Sequence, residues 1–205
     1  EQVCHICLGT CYCRHKMLHI GNPCEINAPL DVCLTFGNVA RSLAENGSHA
    51  RLIDKKEAMD VLERSYASNL VQIGENVRED PAFICNCCGC CCEALQSARK
   101  FSPMQPVATT NYIPNISEEC VGCGKCEVIC PVLAISMQNN QGDRTVAVVD
   151  NEVCLGCGVC VRSCPTNAIK LTQREVQVIT PVNSTHRFVM QAIEKGTLQN
   201  LIFDN

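Results

Sequence analysis

The chain contains no tryptophan and few other aromatic side chains, which make up 4% of its 205 residues. Aromatic side chains supply much of the buried area of ordinary cores, so this core would be thin unless bound metal stabilised it. No apolar run is long enough to span a bilayer, and no signal peptide is recognisable. The missing signal peptide argues against a disulfide-rich secreted protein, the usual alternative for a chain with 20 cysteines.

An excess of positive charge is also absent. The chain has 17 Lys and Arg against 21 Asp and Glu, which gives a formal net charge of −4. Nucleic-acid binding depends on basic surface that neutralises phosphates, so we expect no nucleic-acid partner. The charge does not exclude a basic partner protein.

Two cysteine runs with identical spacing are the most informative feature of the sequence. They read CVGCGKCEVICP from Cys120 to Pro131 and CLGCGVCVRSCP from Cys154 to Pro165. Three cysteines at i, i+3 and i+6 can wrap one side of a compact cluster, and the intervening glycines allow close backbone approach and positive φ. Each run has the C-x2-C-x2-C-x3-C-P pattern of bacterial iron–sulfur proteins. Zinc also binds paired C-x2-C motifs, but the recurrence of the whole run favours [4Fe-4S] clusters.

Residues 112–171 resemble bacterial two-cluster ferredoxins, in which the fourth cysteine of each run ligates the other cluster. The expected ligands of the first [4Fe-4S] cluster are Cys120, Cys123, Cys126 and Cys164. The expected ligands of the second are Cys154, Cys157, Cys160 and Cys130. Neither half completes a cluster alone, so we expect a ferredoxin-like (βαβ)2 module. Alternation and β-branched content predict its strands at 112–116, 134–137, 145–149 and 168–171, with a polar turn at 138–144.

The other twelve cysteines lie in two segments, 4–33 and 85–92. The second segment has six cysteines within eight residues, just before a predicted helix that ends near Lys100. Free N–H groups and the positive end of the dipole stabilise thiolates at such a helix start. We expect the two segments to come together and hold one or two further iron–sulfur clusters. The expected ligands are Cys11, Cys13, Cys24, Cys33, Cys85, Cys87, Cys88, Cys90, Cys91 and Cys92, with Cys4 and Cys7 as outlying candidates.

Other interpretations of these twelve cysteines stay open. They could form a zinc site, remain reduced structural thiols, or hold a non-cubane cluster that acts on a thiol or disulfide. The nearby His5, His15 and His19 are interpreted as ordinary polar residues, because cysteine is abundant here and is the softer ligand.

The sequence predicts an α+β protein of four parts. Residues 1–100 form a mainly helical, cysteine-rich metal-binding domain, with helices at 36–46 and 54–69 and a short strand at 70–73. A linker at 101–111 leads to the two-cluster module at 112–173. A tail at 174–205 contains a strand at 176–179, a helix capped by Ser184 that ends near Lys195, and a docking segment at 201–203.

Nearly the whole chain is also similar to a less characterised family of cysteine-rich ferredoxin-type proteins from anaerobic bacteria and archaea. The residues that carry this resemblance are CYCRHK at 11–16, PLDVCL at 29–34, FICNCCGCCC at 83–92 and LQNLIFDN at 198–205. The resemblance implies iron–sulfur cofactors but no particular substrate. Longer members carry extra sequence upstream, and this chain begins with Glu1 rather than Met, so we expect a fragment or a processed product.

These observations predict a cytoplasmic electron-transfer protein of an anaerobic organism. It would relay single electrons through two ferredoxin-type clusters and one or two N-terminal ones. The expected partner is a redox protein or a larger oxidoreductase complex, with this chain as an electron-transfer subunit rather than a catalytic one, and an oligomer is possible. Two alternatives remain: a reductase with a catalytic N-terminal cluster acting on a thiol or disulfide, and a redox-sensing protein.

Overall fold

The computed structural model describes residues 5–47, 49–101, 109–139 and 144–203, with side chains up to residue 200. Cys4, most of the predicted linker at 101–111 and most of the predicted turn at 138–144 lie outside the described residues. The strands are β1 Ile6–Thr10, β2 Asp31–Phe36, β3 Ala50–Ile53, β4 Val71–Gly74, β5 Phe83–Cys87, β6 Tyr112–Ile116, β7 Ile135–Asn139, β8 Thr145–Val149 and β9 Ile169–Gln173. The helices are α1 Tyr12–His19, α2 Gly37–Asn46, α3 Lys55–Ala67, α4 Glu93–Lys100, α5 Lys125–Ile129, α6 Val159–Ser163, α7 Ser184–Glu194 and α8 Leu198–Phe203.

The N-terminal half is built on a five-stranded sheet with the order β3-β1-β2-β5-β4. All its neighbouring strands are antiparallel, and Leu8 of β1 lies opposite Leu34 of β2. Both leucines are buried, together with Val32 of β2 and Val61 of α3. Helix α3 therefore packs its apolar face against one side of the sheet.

The prediction of a mainly helical N-terminal domain is not confirmed, because this sheet is its central layer. Helices α2, α3 and α4 were predicted, as was β4, whereas β1, β2, β3 and β5 were not. Three of these missed strands carry cysteines, among them Cys33 and Cys85. Cysteine has no strong strand signature, so a pattern that alternates cysteine with other residues is easily interpreted as a ligand loop.

Helix α3 begins where its capping residues predict. The Asp54 carboxylate accepts a hydrogen bond from the Glu57 backbone N–H at 2.8 Å, which satisfies one of the free donors of the first turn. Ala58, Val61 and Ser65 are its buried residues. Tyr66 is 55% exposed and carries the Arg162 guanidinium over its ring.

Residues 112–173 contain two antiparallel two-stranded sheets. Strand β6 pairs with β9 along their whole length, and β7 pairs with β8. The order strand, helix, strand occurs twice, as β6-α5-β7 and β8-α6-β9. The four strands predicted for this part of the chain are all present, with ends that differ by at most two residues.

One hydrophobic core joins the two cysteine-rich parts of the chain. Val71 of β4 and Leu95 of α4 pack in the same buried cluster as Val159 of α6 and Ile169 of β9. Leu95 and Val159 are completely buried, and each side chain of this kind contributes about 1.5–3 kcal/mol to folding. Helix α4 also contacts the turn that begins at Pro131, because the Arg99 Nε donates to the Pro131 carbonyl at 2.7 Å.

The tail differs in part from its prediction. Residues 176–179 form no strand. The Val178 backbone is held by the Asn111 side chain, whose Nδ2 donates to the Val178 carbonyl and whose Oδ1 accepts from the Val178 N–H. Helix α7 is present, but its cap is Asn183 and not the predicted Ser184. The Asn183 side chain accepts from the His186 N–H, whereas the Ser184 hydroxyl donates to Glu75. Gly196 follows the helix with φ +65°. The predicted docking segment at 201–203 lies in α8, and its side chains are outside the described set.

Among the described helices, none combines the length and the apolar character that crossing a bilayer requires.

Candidate metal centres

Four cysteines from both runs line one small cavity. They are Cys120, Cys123, Cys126 and Cys164, around a space of about 20 Å³ closed by Met137, Pro165, Thr166 and Ile169. Cys126 is buried in α5, whereas Cys123 is exposed to solvent. The fourth cysteine of the second run thus lies with the first three of the first run. The ring of thiols and its apolar lining fit the donor set of a [4Fe-4S] cluster.

The fourth cysteine of the first run lies with the other three. Cys130 is an electrostatic neighbour of Cys154, Cys157 and Cys160. Burial raises the pKa of Cys157 to about 11 and that of Cys160 to about 12. These thiols therefore stay protonated near neutral pH unless a metal displaces the protons, so metal binding here releases protons.

Backbone N–H groups point at sulfur in this second quartet. The Ala134 N–H donates to Cys130 Sγ at 3.2 Å, and the Gly156 N–H donates to Cys154 Sγ at 3.4 Å. Hydrogen bonds of this kind stabilise thiolate over thiol and tune the potential of a bound cluster. The Gly156 bond forms in a loop with left-handed backbone, with φ +70° at Gly156 and +74° at Gly158.

Each cysteine run has its own arginine, which hydrogen-bonds the backbone carbonyl of the first cysteine. The Arg144 Nη2 donates to the Cys120 carbonyl at 2.6 Å and also contacts the Glu118 carbonyl. The Arg174 Nη2 donates to the Cys154 carbonyl at 2.6 Å, and its Nε donates to the Thr110 carbonyl. Sequence reasoning missed both arginines, because each lies about twenty residues or more from the cysteine that it holds.

The N-terminal cysteine segments come together, as predicted, but they divide into two groups. The first group, here the thiol tetrad, joins one cysteine from the α1–β2 loop to three from the β5–α4 loop. Its members are Cys24, Cys88, Cys90 and Cys91, whose Sγ atoms all lie within 4.8 Å of one another. Cys88 and Cys91 are buried, and the other two are half-buried.

The second group, here the thiol sextet, contains six cysteines, and the side chain of each contacts that of the next in the order given below. They are Cys11, Cys33, Cys85, Cys87, Cys92 and Cys13. Cys11 and Cys92 precede the first turns of α1 and α4. Free N–H groups at a helix start favour thiolate, but the Cys33 thiol and burial outweigh this at Cys11 and raise its pKa. The neighbouring thiols Cys13 and Cys87 lower the pKa of Cys92 to about 2, with help from the Leu95 N–H. The neighbouring thiols and burial raise the pKa of Cys11, Cys13, Cys33 and Cys87. A donor set of this size can hold an iron–sulfur cluster with thiols to spare.

Arg14 lies between the two groups and is 2% exposed. Its Nη1 donates to the Asn86 carbonyl at 3.0 Å and lies 3.8 Å from Cys88 Sγ. Cys11 and Cys24 are its other sulfur neighbours. The sequence offers one signal for this residue, its position in the CYCR run, but nothing there shows that the guanidinium is buried.

Cys7 and the histidines lie apart from both groups. Cys7 is buried in β1, where Thr35 and Arg51 are its polar neighbours, and burial raises its pKa. His15 and His19 face each other with 3.1 Å between their Nε2 atoms, and His49 lies 5.7 Å from His15 between ring centroids. Cys4 lies outside the described residues, so its assignment stays a prediction.

A family model described as a 4Fe-4S dicluster domain matches residues 119–168. No curated protein matches the chain. The matched range contains both cysteine runs and both quartets, and it ends before the tail. The chain therefore contains a 4Fe-4S ferredoxin-type module within a longer cysteine-rich protein.

Proposed function

We propose that this chain is an electron-transfer protein that binds two [4Fe-4S] clusters in its ferredoxin-type module and a further iron–sulfur centre at the thiol sextet. When bound, such clusters accept and release one electron at a time. The observation that carries the proposal is the convergence of each run's fourth cysteine on the other run's first three. Cys120, Cys123, Cys126 and Cys164 would hold one cluster, and Cys154, Cys157, Cys160 and Cys130 the other.

The burial of the cysteines suggests where electrons enter. Cys123 is exposed, and beside it runs a groove of about 690 Å³ whose walls include Tyr66, Lys125 and Arg162. Val128 at this groove is 87% exposed. Two cations, Lys125 and Arg162, and one carboxylate, Glu127, line the groove. This excess of positive charge beside an apolar side chain suits a redox partner with an acidic rim, because charge complementarity steers association. The proposed partner is a larger redox enzyme or complex.

The inner cysteines connect the module to the N-terminal half. Cys130, Cys154 and Cys160 share one buried core with Cys87 and Cys92 of the sextet. This close-packed contact keeps water out between the two sites and holds them at a constant separation. The proposed path therefore leads from the exposed first quartet through the buried second quartet to the sextet. We also propose a cytoplasmic, oxygen-poor setting, which keeps these thiols reduced.

The test compares ligand variants of anaerobically purified, reconstituted protein. Cys164→Ser should change the EPR signal of the same cluster as Cys120→Ser, although the two residues lie in different runs. Cys130→Ser should change the signal of the same cluster as Cys154→Ser. If Cys164→Ser instead perturbs the cluster that depends on Cys154, the crossed arrangement is wrong.

Iron analysis of the wild-type protein addresses the number of centres. Two [4Fe-4S] clusters correspond to about 8 iron atoms per chain, and a cubane cluster at the sextet would raise the count to about 12. Cys87→Ser should then lower the iron content without changing either ferredoxin-type signal. An EPR change at the sextet on addition of a thiol or disulfide would favour a reductase over a relay.

A further inference from the structure

The spacing of the sulfur atoms in the thiol tetrad differs from what a cubane cluster needs. Three Sγ pairs lie 3.7 Å apart, namely Cys24 with Cys88, Cys24 with Cys90, and Cys90 with Cys91. A zinc ion bound tetrahedrally at about 2.3 Å from each sulfur requires sulfur–sulfur edges of about 3.8 Å. The tetrad therefore has the dimensions of a single-ion site.

The cysteine quartets of the ferredoxin-type module provide an internal comparison. Within the described ranges, the tetrad is the only group of three or more cysteine, histidine or acidic residues whose ligand atoms gather within 4.8 Å. Both ferredoxin-type quartets are more open than that. Four irons and four sulfides must fit between the thiolates of a cubane cluster, whereas nothing but the ion itself separates the ligands of a mononuclear site.

Arg14 supplies an independent observation. Its guanidinium is buried, and its Nε and Nη2 have no hydrogen-bond partner among the described residues. A buried cation is costly unless an anion compensates it. Neutral thiols give no such compensation, whereas a divalent ion with four thiolates carries a net charge of about −2. Arg14 also neighbours Cys11 of the sextet, so an anionic centre there would share in the compensation. The contact of Arg14 with Cys88 Sγ lies at the edge of the tetrad.

We propose that Cys24, Cys88, Cys90 and Cys91 bind one zinc ion as a structural tetrathiolate site. The site would tie the irregular α1–β2 loop, through Cys24, to the β5–α4 loop. Leu70 and the half-buried Met17 and Ala28 pack around it and shield it from water. Zinc has no redox chemistry in proteins, so this site would carry no electron. The proposal does not depend on the electron-transfer function.

The decisive measurement is metal analysis of full-length protein produced with both iron and zinc supplied. We expect one zinc per chain, and the zinc X-ray absorption edge should report four sulfur neighbours at about 2.3 Å. Cys90→Ser should lose the zinc and keep its iron. The matched control Cys13→Ser, a member of the sextet, should keep the zinc.

Two results would overturn the proposal: absence of zinc from the wild-type protein, or loss of iron in place of zinc in Cys90→Ser. If Cys90→Ser fails to fold, cobalt substitution of the wild-type protein replaces it. Co²⁺ should then show the intense sulfur-to-metal charge-transfer absorption of a tetrahedral thiolate site. Its absence would count against the proposal, while the EPR of the ferredoxin-type quartets tests the relay separately.

Discussion

The glycines of the two cysteine runs differ in what surrounds them. Gly122 and Gly124 both have positive φ, at +66° and +72°. A Cβ on Gly122 would lie 2.4 Å from the Thr145 carbonyl oxygen, whereas a Cβ on Gly124 would have no atom within 4 Å. Gly156 resembles Gly122, because its Cβ would lie 2.1 Å from the Tyr112 carbonyl oxygen. A side chain at Gly124 would be penalised only by the left-handed backbone conformation. A side chain at Gly122 or Gly156 would in addition clash with a neighbouring carbonyl oxygen.

Gly124→Ala should therefore destabilise the protein by about 1–2 kcal/mol, the cost of a left-handed alanine. Gly122→Ala should cost clearly more, about 3 kcal/mol or above, because strand β8 must move as well. Anaerobic denaturant unfolding together with iron content measures both. Equal losses in the two variants would show that the contact with Thr145 has no energetic weight.

At the scale of elements, one carboxylate fastens α7 to the loop after β4. Glu75 Oε1 accepts from the Ser184 hydroxyl at 2.7 Å and lies 3.2 Å from the Arg187 Nη2. Its other oxygen accepts from the Ala82 N–H at 2.8 Å. This backbone N–H, followed by the Ser184 hydroxyl and Arg187, lowers the pKa of Glu75 below its ordinary value of 4.5.

The stability that Glu75 contributes is fully present above about pH 4.5 and is lost as the pH falls through the lower pKa of the folded state. We expect Glu75→Gln to speed hydrogen exchange in α7 at pH 7, since the ion pair is lost. The difference between the variant and the wild type should shrink below pH 4.5. Glu79→Gln is the matched control, because it keeps the backbone bond from Glu79 to Val182. A difference that grows in acid would contradict this account.

At the scale of the whole molecule, the two cysteine-rich parts meet at Gly89. A Cβ there would lie 2.6 Å from the Pro131 carbonyl oxygen and 2.9 Å from its Cα. Pro131 directly follows Cys130, and Gly89 stands between Cys88 and Cys90. The tetrad loop therefore packs on a ligand loop of the second quartet. A displacement on one side of this contact must reach the other, because interiors at crystal-like density transmit strain.

Gly89→Ala should destabilise the protein by about 1–3 kcal/mol and shift the EPR signal that depends on Cys130. The signal that depends on Cys120 should stay as it is, because its cysteines lie away from the contact. Gly74→Ala serves as control, since its Cβ would meet nothing closer than the Phe83 carbonyl at 3.9 Å. Equal EPR changes in both signals would argue that the two parts of the chain are not coupled through this contact.

The sequence by itself determined the local features of the protein. The two cysteine runs, the four strands around them and the cap of α3 follow from spacing, alternation and short-range hydrogen bonds, which act over a few residues. The tertiary structure alone decided how ten of the twelve N-terminal cysteines divide into a tetrad and a sextet, and that the buried Arg14 lies between them. It also decided that a sheet rather than helices organises the first hundred residues. These features depend on contacts such as that between Cys24 and Cys88, which the chain brings together across 64 positions and which no local pattern encodes.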